Sequence, residues 1–362
     1  MGNDDLKRKI GQMMMVGISS TSLTVTEREL LRRLNVGGVI LFKRNYRNLE
    51  QLVDLVNDLN STLDRPFIGV DQEGGEVLRL GEPFTQFPSG DYLGAYYQKM
   101  NSLDLIRSWA NALAAELKAA GINLCFVPVL DILTNPNNKV IGRRAFSSKR
   151  DVVTELGAVF VEEFDKVGMM SCPKHFPGHG DTVIDSHLDL PVVDYDLEFL
   201  KKREIVPFAR ACKLNAPFIM TAHILYTKID PDNPATLSST MIDDLLRREL
   251  DYKNIVVTDD LDMNAVKNKY SLPLAASAAL EAGADISLIC HSFGEIENVF
   301  EALRQKADEE KFASCLLQSI ARIEGIKNKY IRDVKIVDFK EASKSIGTEE
   351  AARLCENVLS QA

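Results

Sequence analysis

No stretch of this sequence stays apolar for the roughly 20 residues that a membrane-spanning helix requires, and no two cysteines form a Cys-x-x-Cys pair. The six cysteines (Cys125, Cys172, Cys212, Cys290, Cys315 and Cys355) are widely spaced, several of them inside apolar runs, so neither a zinc knuckle nor a disulfide framework is indicated. A reducing, cytoplasmic setting is expected, with an exported form that has lost its signal as the alternative. The start, Met1-Gly2-Asn3-Asp4-Asp5-Leu6-Lys7, lacks the basic and apolar segments of a secretory signal. Leu6 also stands where an acylated Met-Gly start would carry Ser or Thr. Positive charge is short: 43 Lys and Arg face 52 Asp and Glu, a formal net charge of −9. That balance argues against nucleic acid or an anionic membrane as the main partner and favours a small ligand. No Gly-x-Gly-x-x-Gly opens a helix after a strand, so the phosphate cradle of the dinucleotide folds is missing. No cofactor is expected. No Pro-, Gly- or Ser-rich linker divides the chain.

What the chain does have is 362 residues, 45% of them hydrophobic, enough to bury a large core. Eight apolar runs of strand length recur: 13–18, 36–42, 67–70, 124–129, 169–172, 218–221, 255–258 and 286–290. Between them lie segments with apolar residues every three or four positions, among them 49–63, 106–120, 152–167, 199–214, 241–250 and 296–307. Near-continuous apolar strands alternating with amphipathic helices describe a parallel sheet covered by helices. Eight repeats predict a closed (β/α)8 TIM-type barrel, an α/β fold, with a doubly wound open sheet as the runner-up. The barrel is expected over residues 1–330 as a single catalytic domain. A C-terminal helical tail over 331–362 is expected to dock on it, through Ala351, Leu354, Cys355, Val358 and Leu359 on one helical stripe.

Titratable residues follow the predicted strands: Asp71 the third, Asp131 the fourth, Lys174 and His175 the fifth, His223 the sixth, Asp259 the seventh and His291 the eighth. Barrel active sites are assembled at these carboxyl ends, so the six positions form one candidate constellation. Each acid alone has a plainer reading as a helix N-cap, Asp131 above all. The richest segment follows the fifth strand. Lys174-His175-Phe176-Pro177-Gly178-His179-Gly180-Asp181-Thr182 continues to Asp185-Ser186-His187 and Pro191, placing three of the five histidines within thirteen residues. Pro177 and Gly178 rule out a regular helix, so His175 and His179 are not a helical metal-ligand pair and no metal is expected. Acid–base and nucleophile chemistry by Asp259, Asp185 and His187 is the alternative. Residues 185 and 187 point the same way in an extended segment, so the carboxylate is placed to fix the imidazole tautomer. Asp259 and Asp260 are adjacent, and a pair of carboxylates suits a mechanism in which a group of the substrate itself attacks. Alternation along a strand predicts that only one of the two faces the mouth, which favours Asp259 as a direct nucleophile.

These residues carry a resemblance. The long loop motif is similar to the signature of glycoside hydrolase family 3, in its β-N-acetylglucosaminidase (NagZ-type) branch. Asp71-Gln72-Glu73-Gly74-Gly75, Ile141-Gly142-Arg143-Arg144-Ala145-Phe146 and Val257-Thr258-Asp259-Asp260-Leu261 resemble further family segments in the same order, over roughly residues 6–330. The resemblance implies Asp259 as nucleophile, His187 as acid/base and Asp185 as the group orienting it. It implies that Asp71, Arg79, Arg144, Lys174 and His175 grip the sugar. Glu76 stands where the family commonly has arginine, and Ala145 where serine is usual. The closing helix resembles the start of the connector in longer relatives, so the resemblance leaves open whether a further domain was lost. The implied activity is a retaining exo-β-N-acetylglucosaminidase acting on terminal β-linked N-acetylglucosamine, with peptidoglycan muropeptide fragments as the expected source, through a covalent glycosyl-Asp intermediate. The alternatives are a phosphorylase, a β-glucosidase or β-xylosidase on the same fold, or a non-catalytic sugar-binding barrel. Gly178 and Gly180 are expected to let the loop carry His187 into place once substrate binds.

Overall fold

The computed structural model of the protein describes residues 3–182 and 189–362. Among the described residues eight strands build one parallel sheet: β1 (Met14–Gly17), β2 (Gly38–Leu41), β3 (Phe67–Val70), β4 (Leu124–Cys125), β5 (Met170–Ser171), β6 (Phe218–Met220), β7 (Ile255–Asp260) and β8 (Ile286–Ile289). Their order is β5-β4-β3-β2-β1-β8-β7-β6. The two ends meet beyond the regular strands, where Phe176 and Thr221 form a parallel bridge. There Met220 N–H donates to Pro173 O (2.9 Å) and Phe176 N–H to Met220 O (2.8 Å). The sheet is thereby a nearly closed barrel, as the eight apolar repeats predict.

Each strand is followed by a covering helix: α1 (Val25–Leu34), α2 (Leu49–Thr62), α3 (Asp104–Ala119), α4 (Arg150–Val167), α5 (Ile205–Lys213), α6 (Thr240–Glu249), α7 (Leu272–Glu281) and α8 (Ile296–Lys306). Local chemistry sets several of the boundaries. Thr24 and Glu27 form a reciprocal capping box that starts α1, Asn48 caps α2, and Gly168 closes α4 in the left-handed region. The interior is filled by side chains such as Phe67 and Phe218, whose rings meet edge-on at 5.1 Å. Three more helices follow, α9 (Glu310–Tyr330), the short Phe339–Ala342 and α10 (Glu349–Gln361).

Two expected elements differ. The fourth strand, predicted over 124–129, ends its regular pairing at Cys125, because Pro128 has no N–H to give a ladder. An isolated parallel bridge between Val129 and Lys174 follows, in which Lys174 N–H donates to Pro128 O (3.0 Å) and Leu130 N–H to Lys174 O (2.6 Å). The helix predicted over 199–214 is two helices, Leu197–Lys202 and α5, broken at Arg203. Pro207 then falls in the first turn of α5, where a missing N–H costs no hydrogen bond. In α10, Ala351, Cys355 and Val358 are buried as the stripe predicts, whereas Leu354 is half-buried and Leu359 exposed. The helix packs on α3 and on the helix Gly90–Met100.

Asp285, fully buried at the start of β8, locks the barrel floor to its helices. Its carboxylate accepts from Val256 N–H (2.8 Å), Ser319 Oγ (2.8 Å), Arg322 Nη1 (2.8 Å) and Arg247 Nη2. Removing one member of a buried ionic cluster strands its partners without solvent. Asp285→Ala is therefore expected to cost about 3–5 kcal/mol of unfolding free energy. Urea titration followed by circular dichroism measures this, and a loss under about 1 kcal/mol contradicts the assignment.

Candidate active site

A cavity of about 530 Å³ opens at the carboxyl ends of the strands. One wall comes from β3 to β5 and their loops. Lys174, 2% exposed, places Nζ 2.7 Å from Asp71 Oδ1 and 2.6 Å from Glu73 Oε1. Arg144 grips the same Glu73 with both arms, Nε to Oε2 and Nη2 to Oε1, each at 2.8 Å. Arg79 approaches Asp71 at 3.5 Å. Burial alone would drive the Glu73 carboxyl upward; the Arg144 and Lys174 charges outweigh it and hold Glu73 well below the usual carboxylate range. Burial likewise favours a neutral Lys174, but Asp71 and Glu73 keep its ammonium above the ordinary value. This wall presents fixed charges and donors to whatever enters.

Beneath it lies Asp131, with no exposed surface. Its Oδ2 meets His175 Nδ1 at 2.6 Å, and its Oδ1 accepts from the N–H groups of His179 (2.6 Å) and His175 (3.3 Å). The N-cap reading of Asp131 is therefore replaced: it ties down the loop that follows β5. A carboxylate on Nδ1 leaves His175 Nε2 for the cavity, which His175 lines. Burial would raise the Asp131 carboxyl, but the adjacent His175 holds it below its usual value. His179 is nearly enclosed, and burial pushes its imidazole down to about 4, so it is neutral at physiological pH. Its Nδ1 meets Thr182 Oγ1 at 2.7 Å, while Asn138 Nδ2 donates to His179 O at 2.7 Å and stitches this loop to the one after β4.

Two glycines in this loop answer to packing. A Cβ on Gly180 would lie 1.8 Å from Ile132 O, so only glycine allows the approach. At Gly178 φ is +142°, and a Cβ would meet Glu204 Cβ at 3.0 Å. Glu204 itself is 4% exposed and pairs with Arg203 Nε at 2.6 Å, while its Oε2 has no hydrogen-bond partner. Burial lifts its carboxyl to about 7 despite Arg203.

The opposite wall is the tip of β7. Asp259 is partly exposed to the cavity and its Oδ1 accepts from Asp260 N–H at 2.8 Å. Burial would raise it, but His175, His223 and that N–H hold it below the ordinary aspartate value, so it is a carboxylate at neutral pH. Strict alternation would turn Asp260 away. Instead both aspartates line the cavity, because the pairing of β7 with β8 shifts register between Val257 and Asp260. Burial raises the Asp260 carboxyl to about 7. His291 Nε2 stands 3.6 Å from Asp260 Oδ2.

Of the sequence-predicted residues, Asp71, Arg79, Arg144, Lys174, His175 and Asp259 share this cavity. Asp185 and His187 lie outside the described residues. Of the remaining strand-end positions, His291 lines the cavity, whereas Asp131 and His223 stand behind its lining and support it. Sequence reasoning missed Glu73, which neutralises two cations of the wall. The acidic Asp71-Gln72-Glu73 run directly after a strand was the available signal. Glu76, exposed, also lines the cavity. No group of three or more metal-ligating side chains occurs among the described residues.

A carboxyl raised by burial opposes folding once it must ionise: stability falls as pH climbs from the unfolded value near 4.5 through about 7 and stays low above it. Glu204→Gln removes that penalty. The variant's stability relative to the parent is expected to improve by about 2–3 kcal/mol between pH 4.5 and pH 8. Thermal melts across that range measure it, and parallel curves for the two proteins contradict it.

Residues 5–323 match the glycosyl hydrolase family 3 N terminal domain. The chain is 38% identical over 317 residues to beta-hexosaminidase A of Pseudoalteromonas piscicida, covering 82% of itself and 51% of that relative. It thus spans about half the length of that protein. The fold superposes on a glycoside hydrolase family 3 beta-N-acetylglucosaminidase from Paenibacillus sp. str. FPU-7 with a TM-score of 0.93 and 35% identity, over 98% of this chain and 68% of the other. NagZ from Neisseria gonorrhoeae, solved in complex with N-trifluoroacetyl-D-glucosamine, aligns with a TM-score of 0.76 and 30% identity, over 96% of this chain and 97% of its own.

Proposed function

Because the chain belongs to glycosyl hydrolase family 3 and is a glycoside hydrolase, we propose that it is a retaining exo-β-N-acetylglucosaminidase that forms a covalent glycosyl-Asp259 intermediate. The observation that carries this reading is the ionised Asp259 at the tip of β7, facing across one cavity the charged wall of Asp71, Arg79, Arg144 and Lys174. Names of the relatives supply the sugar: the Paenibacillus protein is a beta-N-acetylglucosaminidase, and the gonococcal one holds an acylated glucosamine.

In this reading the wall binds the ring hydroxyls. Asp71 accepts from them, Arg79, Lys174 and His175 donate to them, and Arg144 completes the grip. Anchoring the ring makes the attack of Asp259 on the anomeric carbon effectively intramolecular. As the C1–O bond breaks, His187, oriented and steadied in its protonated form by Asp185, gives its proton to the departing oxygen. Water then attacks C1 from the face the leaving group vacated, His187 takes up its proton, and the Asp259 ester opens with overall retention. Adjacent aspartates at the mouth suit the substrate-assisted route as well, so the label on Asp259 is the deciding observable. The chemistry asks for carboxylates and imidazoles alone.

We assign residues 1–330 to the catalytic unit and 331–362 to a tail docked on it. Bacterial cell-wall muropeptide fragments are the proposed source of substrate, and a reducing cytoplasm suits six unpaired thiols. Among the described residues no helix is long and apolar enough to cross a membrane. A saccharide is the proposed partner, with nucleic acid and membrane disfavoured by the net charge of −9.

Four measurements test this. Hydrolysis of 4-nitrophenyl N-acetyl-β-glucosaminide is expected to exceed that of the glucoside and xyloside, with the product unchanged by added phosphate; a sugar phosphate as product makes the enzyme a phosphorylase. Fluorosugar trapping and peptide mass spectrometry are expected to mark Asp259. Asp259→Ala is expected to lower kcat by at least about 10³-fold while sugar binding persists. Activity is expected to fall on both sides of neutrality. On the acid side Asp259 gains a proton below its depressed value; on the alkaline side His187 loses the proton it must deliver. A rate constant flat from about pH 4 to about 9 contradicts the role of His187, since the Asp259 limb falls below that range.

A further inference from the structure

Taking Asp259 as the nucleophile, we infer that Asp260 and His223 are positioning residues that hold its carboxylate on the line of attack. The inference rests on how the end of β7 is built. Between Val257 and Asp260 three steps along β7 correspond to two along β8, so the ladder there is incomplete. Side chains replace the missing pairing. Thr258 Oγ1 accepts from Leu288 N–H at 3.0 Å. Asp260 Oδ1 accepts from Cys290 N–H on the β8 side and from Asp262 N–H on its own, both at 3.0 Å. From the β6 side, His223 Nε2 donates to Asp260 O at 2.9 Å, and its Nδ1 rests against Thr236 Oγ1 at 2.8 Å.

Asp260 is therefore pinned from both neighbouring strands, its carbonyl toward β6 and its side chain toward β8. Its N–H, which belongs to the preceding peptide group between the pinned residue and the nucleophile, orients that nucleophile, since it donates to Asp259 Oδ1 at 2.8 Å. Without the pins, a bulged strand end has local freedom to rotate its peptides. Rotating this one would withdraw the donor and turn Asp259 Oδ2 away from the sugar. The opposite wall would still bind the ring, because Asp71, Lys174 and Arg144 share no hydrogen bond with this device. The expected signature is thus a loss in kcat with little change in KM, the pattern of a reacting group displaced while the substrate remains bound.

The test compares Asp260→Ala and His223→Ala with the conservative Asp260→Asn and His223→Gln. Asparagine keeps an oxygen for the two N–H groups, and glutamine keeps an N–H for the Asp260 carbonyl. Thermal melts confirm folding, and three quantities are read: kcat, KM, and the rate at which a fluorosugar labels the protein. Asp260→Ala is expected to lower kcat and the labelling rate by about 100-fold with KM within about threefold. Asparagine is expected to recover at least about a factor of ten of that loss. The histidine pair is expected to behave alike with a smaller amplitude. If Asp260→Ala does not fold, the two histidine variants decide. Folded alanine variants with kcat and labelling within threefold of the parent overturn the inference, as does an asparagine variant no faster than alanine. A parent protein labelled at a residue other than Asp259 instead overturns the nucleophile assignment, a separately readable failure.

Discussion

The site depends on keeping one ammonium group charged where almost no water reaches it. Lys174 sits between Asp71 and Glu73, with Arg144 closing the far side of Glu73. Dehydrating a lysine costs several kcal/mol unless carboxylates surround it at hydrogen-bond distance. Here two do, and they come from the segment after β3, whereas Lys174 follows β5 and Arg144 the loop after β4. The network therefore exists only when three strand ends are in register. It also makes the wall rigid before any ligand arrives, which is the condition under which charged groups stabilise a transition state without reorganising.

A second layer supports the first. Asp131 takes three donors from a single loop, so the backbone that carries His175 and His179 has little room to move. On the far side of the cavity the bulged end of β7 supplies Asp259 and is itself pinned to β6 and β8. The two walls use different chemistry. One is a closed ionic lattice that grips; the other is a backbone irregularity that aims a single carboxylate. Separating them lets binding and attack be tuned independently, and it places neighbouring aspartates at 259 and 260 with unlike proton affinities. Asp259 lies close to imidazole groups and stays ionised, while burial lifts Asp260 to about 7.

Much of this architecture was legible beforehand. The apolar runs marked all eight strands, since strands buried on both faces must be apolar throughout. The position of Asp259 after Ile255-Val256-Val257-Thr258 placed it at the mouth. Other features were hidden because they depend on partners distant in sequence. Glu73 reads as one more acid in a polar turn until Arg144, seventy-one residues away, is seen to hold it. Asp131 reads as an N-cap until His175 and His179 fold onto it. The break at Arg203 was masked by an apolar period that continues smoothly across it, and Asp185 and His187 fall outside the described residues.

The sequence by itself determined the alternation of strand and helix, and with it the mouth on which the titratable groups assemble, because hydrophobic period is a local property that survives any arrangement of loops. Only the tertiary structure decided which acids are ionised and which way they point. Proton affinity follows from burial and from charges brought close in space, and the direction of Asp260 follows from a register shift against β8 that alternation along a single strand does not foresee.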